Sequence, residues 1–131
     1  MGVKQSVRIG RARAQEIRRQ SMGPRNWPNF HNTRTANRPG YRTDCITRAA
    51  HHPEAPERIN EFASVLTERK FEERTHRAAC NALLHIHKQH AHSDAKRVLR
   101  ITLTKLKRRT KLPRAQQTLI EEMRKTLRQQ N

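Results

Sequence analysis

The chain has 131 residues and a net charge of +18, from 29 Lys/Arg against 11 Asp/Glu. Its apolar share of 33% falls below the roughly 45–50% (Gly included) of an average globular domain, which argues against a large enzyme-like core with a deep pocket. Such an excess repels itself in a compact state, and its skew of 21 Arg to 8 Lys suits the planar, multi-donor grip of guanidinium on phosphate, so RNA, DNA or an anionic membrane surface is the expected partner.

Residues 1–20 hold six basic residues and one acid. A short helix over 11–20 would have a thin apolar face, so the segment reads as a basic arm. Met1-Gly2-Val3-Lys4-Gln5-Ser6 fits the myristoylation pattern M-G-x-x-x-[ST], with Lys4, Arg8, Arg11 and Arg13 as the polybasic second signal that a single acyl chain needs. The bland reading is coincidence, because Gly at position 2 and Ser at position 6 are common.

Residues 21–53 collect Gly23, Pro24, Pro28, Pro39, Gly40 and Pro53, with four asparagines that favour turns. Trp27, Phe30 and Tyr41 alternate with Arg25, Arg34, Arg38 and Arg42, an arrangement in which rings and guanidinium planes could stack on bases. No helical or strand period survives. Residues 1–53, with 11 basic and 2 acidic residues, are expected to be an extended, largely disordered arm.

Residues 54–131 are expected to be the helical domain. Within 54–92 six basic residues balance six acidic ones. Pro56 and Glu57 suit a first helical turn, and Ile59, Phe62, Ala63 and Leu66 follow at i, i+3, i+4, i+7. A second stripe runs through Phe71, Ala78, Ala79, Ala82, Leu83 and Ile86. The period permits one long helix over 57–91 or two with a joint near Thr67–Lys70. The small Ala face at 78–82 favours close packing.

Residues 93–128 carry the strongest pattern and 12 Lys/Arg against 3 acids. Leu99, Leu103 and Leu106 form an apolar stripe broadened by Val98 and Ile101, while Lys96, Arg97, Arg100, Lys107 and Arg108 lie off it. A helix over 94–111 is expected, capped by Ser93 or Asp94. Pro113 then disfavours helix at Leu112 and opens a second helix over 113–129, with Leu112, Ala115, Leu119, Met123 and Leu127 as its stripe. The expected fold is therefore all-α: a small bundle of three to four amphipathic helices behind a basic arm.

Four further constellations compete for a role. Lys105-Leu106-Lys107-Arg108-Arg109-Thr110-Lys111 is a basic heptamer of a kind that also serves nuclear import. His76, Cys80 and His87 could share a helix face beside His85, His90 and His92, but no paired C-x2-C anchors a zinc site, and a titrating surface cluster is the preferred reading. Cys80 as a thiolate or His51-His52 as an acid/base pair lacks an oxyanion hole, a glycine-rich loop or paired carboxylates, so no enzyme, metal or cofactor is expected. Cys45 and Cys80, 35 residues apart, admit one disulfide without requiring an oxidising compartment. No apolar run approaches the ~18 residues of a membrane span and no secretory signal is evident, so a cytoplasmic or nuclear location is expected.

The function expected from these residues is non-enzymatic RNA binding by phosphate contacts, RNA being preferred to DNA because arginine-rich segments often order on RNA. The setting would be a ribonucleoprotein such as a ribosome, or a small viral RNA-binding accessory protein. Lys96, Arg97, Arg100, Lys105, Lys107, Arg108, Arg109, Lys111 and Arg114 would form the main surface, and Arg8, Arg11, Arg13, Arg18 and Arg19 would add affinity. The alternative is a membrane-surface adaptor or matrix-like protein, myristoylated at Gly2. A homodimer through the Leu99–Leu103–Leu106 and Leu119–Met123–Leu127 stripes is compatible with either.

Overall fold

The computed structural model describes residues 27–31 and 40–129. Among these residues the secondary structure is entirely helical: α1 (Tyr41–Ala50), a 3-10 turn (Ala55–Arg58), α2 (Ile59–Leu66), α3 (Glu73–Gln89), α4 (Ala95–Lys107) and α5 (Arg114–Gln129). Five α-helices thus replace the expected three to four. The additional one is α1, inside a stretch read from its turn residues as extended. Its buried positions are Cys45, Ile46, Ala49 and Ala50, so the face that packs is made mostly of small residues and leaves a faint hydrophobic pattern.

The neutral stretch resolves into two helices joined by residues 67–72. Thr67 ends α2 with its N–H bonded back to Ser64 O, and α3 begins only after an extended Glu72. α5 matches its expected range, whereas α4 ends at Lys107, four residues short of the expected 111. Asp94 does occupy the cap position of α4, but its side chain makes no cap hydrogen bond; Val98 N–H donates to its carbonyl at 2.8 Å. Leu112 lies outside both helices, Gln117 N–H donates to Pro113 O at 3.0 Å, and the Gln117 side chain donates to Leu112 O at 2.9 Å.

The organising element is α3. It packs against α1, α2, α4 and α5, and α5 also lies on α4. Its inner face presents Ala79, Cys80, Ala82, Leu83 and Ile86, all buried. Positions 79 and 82 of this buried face are both alanine. A Cβ built on Gly40 would lie 4.0 Å from Arg74 Nη2, and the His51 and His85 rings are 4.2 Å apart, so α1 and α3 run side by side in the same direction. The short 90–94 connection turns α4 back along α3. Arg109, just past α4, reaches the Thr67 carbonyl at the end of α2, so those two helices share a direction as well.

Trp27 and Phe30 are core residues, contrary to their expected role in base stacking. Phe30 is 1% exposed, its ring lies 5.2 Å from Phe62, and Trp27 meets Phe62 edge-on at 6.1 Å. Arg58 caps the Trp27 ring from 4.9 Å, a cation–π contact. Arg42 ties this segment down: its Nε donates to Phe30 O at 2.6 Å and its fork grips the Glu68 carboxylate, with Nη1 2.9 Å from Oε2. Tyr41 alone among the three aromatics is exposed, at 40%.

The leucine stripes are consumed inside the chain. Leu99, Leu103, Leu106, Leu119, Met123 and Leu127 are all buried. A dimer through these side chains would have to open the core of each copy. Two positions assigned to the stripes lie elsewhere: Ile101 is 43% exposed, and Ala115 is exposed while Gln116 takes the buried position. Helix phase explains both, since Ile101 is two residues from Leu99 and Leu103 and so points away from them.

Candidate nucleic-acid interface

The packed face of α4 is Ala95, Leu99, Thr102, Leu103 and Leu106. Burying those positions dictates what the opposite face presents. Arg97, Ile101, Thr104 and Arg108 follow at i, i+4, i+7, i+11 as an outward ridge, with Arg100 and Lys107 on one flank and Lys105 on the other, all exposed. The threonine hydroxyls do not compete for this surface: Thr104 Oγ1 donates to Arg100 O at 2.9 Å and Thr102 Oγ1 to Val98 O at 2.7 Å. Thirteen residues of helix give the ridge a length of about 20 Å.

The expected cations are not equivalent. Arg97, Arg100, Lys105, Arg108, Lys111 and Arg114 are exposed and have no carboxylate partner among the described residues. Lys107 Nζ lies 3.9 Å from Glu121 Oε1, a loose contact between two exposed groups. Arg109 donates from Nη2 to Thr67 O at 3.1 Å, at the carbonyl end of α2 where the helix dipole favours a cation. Lys96 is half-buried and engaged, which sets it apart from the ridge. Arg8, Arg11, Arg13, Arg18, Arg19 and Gly2 lie outside the described residues.

The surface continues beyond α4. Arg108, Arg109 and Lys111 occupy the connection to α5, where Lys111 adopts a left-handed φ of 61°. The Arg109–Thr67 hydrogen bond brings this connection beside the α2–α3 joint, which carries exposed Arg69 and Lys70. Sequence reasoning passed over Arg69, because residues 54–92 balance in charge when summed along the chain. Four of its six acids are spent locally: Glu68 on Arg42, Glu61 on Arg58, Glu73 on Arg77 and Glu72 near Lys70. On α5 the two acids are likewise engaged, Glu122 with Arg77 at 2.8 Å and Glu121 between Lys107 and Arg124.

No family model, curated protein or solved structure matches the chain. Its chemistry therefore rests on these residues alone.

The remaining constellations separate by burial. Cys80 is fully buried and burial pushes its thiol up to about 12, so a thiolate is not formed near neutral pH. Cys45 and Cys80 are both free and buried. His76 is buried with Nδ1 2.9 Å from Glu72 O, and burial holds its imidazole below the ordinary range. His52 packs edge-on to Trp27 at 5.3 Å, and its Nδ1 accepts from Glu54 N–H at 3.1 Å. Among the described residues no three His, Cys, Asp or Glu side chains converge as metal ligands, so His76, Cys80 and His87 share a helix without forming a site. No helix among the described residues is long and apolar enough to cross a membrane. The basic heptamer is divided, Lys105–Lys107 in the last turn of α4 and Arg108–Lys111 in the connection.

Proposed function

We propose that this chain is a non-enzymatic RNA-binding protein that docks the outward face of α4 and the α4–α5 connection against the phosphate backbone. The observation that supports this reading is the absence of any acidic side chain on that ridge, with Arg97, Arg100, Lys105 and Arg108 exposed along it. A face that served only for solubility would carry both signs, as α2 and its flanks do. Lys111, Arg114 and Arg109 extend the contact, and Arg69 widens it across the α2–α3 joint. Binding of this kind reads charge and shape and little sequence, because phosphates are the same at every step. The protein would act as a ribonucleoprotein component or as a small viral RNA-binding accessory protein.

The test is a fluorescence-anisotropy titration with double-stranded RNA, single-stranded RNA and matched DNA at several salt concentrations. Tight, salt-sensitive binding with a preference for one RNA form is expected. The double substitution Arg100→Glu, Arg108→Glu is expected to weaken it by more than tenfold, about 1.4 kcal/mol or more. Unchanged affinity in that variant would refute the assignment to α4. Equal, weak binding to every polyanion that vanishes near physiological salt would refute RNA binding as the function.

A further inference from the structure

Six of the eight histidines are gathered at one end of the bundle, away from the α4–α5 connection: His51 and His52 follow α1, His85 and His87 lie in the last turns of α3, and His90 and His92 fall in the turn leading into α4. Their environments differ. His52 is held by Trp27 and Glu54, and His87 Nδ1 is buried without a partner among the described residues. His51 and His85 instead face each other with ring centroids 4.2 Å apart and planes tilted by 55°. His51 is exposed, His85 is half-exposed, and Lys88 and His90 beside them are exposed. The ridge of α4 begins at this same end, with Arg97 in its first turn.

We propose that His51 and His85, with Lys88 and His90, form a phosphate subsite that takes up a proton when a polyanion occupies it. This rests on the RNA-binding reading above and extends its surface around the head of α4. Two imidazoles in ring contact, with an ammonium nearby, resist charging together. The environment agrees: burial, then His51, Lys88 and His90 in turn, hold His85 below its ordinary range. The charged and titratable groups where these elements meet are Arg48 of α1, His51, His52 and Glu54 after it, His85, His87 and Lys88 of α3, His90, His92 and Asp94 of the next turn, and Lys96 and Arg97 of α4. Glu54 and Asp94 are the only carboxylates in that group, and neither contributes to the shift at His85. The fixed charges here, Arg48, Lys88, Lys96 and Arg97 against Glu54 and Asp94, are net positive and favour an oxyanion. A phosphate bound along the edges of both rings offsets their mutual repulsion, so a proton on either is held more tightly. By linkage, affinity must then rise as the pH falls.

The experiment follows the imidazole Cε1–H resonances of the full chain against pH, with and without tripolyphosphate, and measures duplex-RNA affinity at pH 7.5 and 6.0. Tripolyphosphate is expected to raise the titration midpoints of His51 and His85. RNA affinity is expected to rise on acidification, by at most about tenfold per pH unit for each proton taken up. In His51→Gln and His85→Gln that gain should be halved or lost. Midpoints that tripolyphosphate leaves unmoved would overturn the subsite, as would an equal acid gain in wild type and both variants. A raised midpoint in a protein that ignores RNA would uphold the subsite and overturn the RNA reading.

Discussion

At the scale of single residues, burial decides what each reactive group does. His76 is held neutral inside the fold, below the 6.5 of a free imidazole. The unfolded chain therefore takes up a proton at His76 that the folded chain refuses. This contribution is fully present above pH 6.5 and is lost as the pH falls through the lower folded-state value. Chemical-denaturation midpoints should decline from about pH 7 to pH 5, and His76→Leu should flatten that decline whatever its absolute stability. Lys111 shows the opposite bargain. A side chain at φ 61° costs about 1 kcal/mol that glycine would not incur. Lys111→Gly is expected to raise the urea midpoint and, having removed a cation from the proposed interface, to weaken RNA binding. A variant that gains on both counts would show that Lys111 touches no phosphate. The Lys111 charge was legible in the sequence. Its backbone conformation was not, because no residue pattern distinguishes this lysine from its neighbours.

At the scale of elements, hydrophobic periodicity foretold α4 and α5, since each has Leu or Met spaced along a single face. It missed α1, whose packed face is Cys45, Ile46, Ala49 and Ala50, too small to stand out among arginines and threonines. The same limitation concealed Trp27 and Phe30, whose place in the core depends on Phe62, more than thirty residues later in the chain. Arg42 couples these pieces by bonding Phe30 O and Glu68 at once. Arg42→Met should cost about 1–3 kcal/mol, the range for losing charge-assisted hydrogen bonds. Trp27 is the sole tryptophan, so its emission should shift to the red in this variant before global unfolding. An unshifted emission would mean the aromatic segment is held by packing alone. Leu99, 0% exposed at the start of α4, offers a packing control: Leu99→Ala should cost about 2–5 kcal/mol.

At the scale of the whole helical body, charge among the described residues is distributed by layer. Residues 40–92, which supply α1 to α3, hold 8 Lys/Arg and 7 Asp/Glu, whereas residues 93–129 hold 12 against 3. The sum along the chain made this contrast visible in advance. The alignment of Arg97, Arg100 and Arg108 on one exposed side, and the contact of Arg109 with the Thr67 carbonyl at the α2–α3 joint, required the fold. If that side binds phosphate, Arg100→Ala with Arg108→Ala should lower the slope of log K on log salt by about 1.4–1.8, while Glu57→Gln should leave it unchanged. An unaltered slope in the double variant would place the contacts elsewhere. The layering has a consequence before any contact forms. A body whose cations crowd one side carries a permanent electric dipole as well as a net charge. In the field of a nucleic-acid strand such a body feels a torque, and it turns α4 toward the strand while still separated by solvent. Were α4 the docking face, encounters would begin in the productive orientation, and the gain would appear in the association rate at low salt, not in the strength of the finished complex.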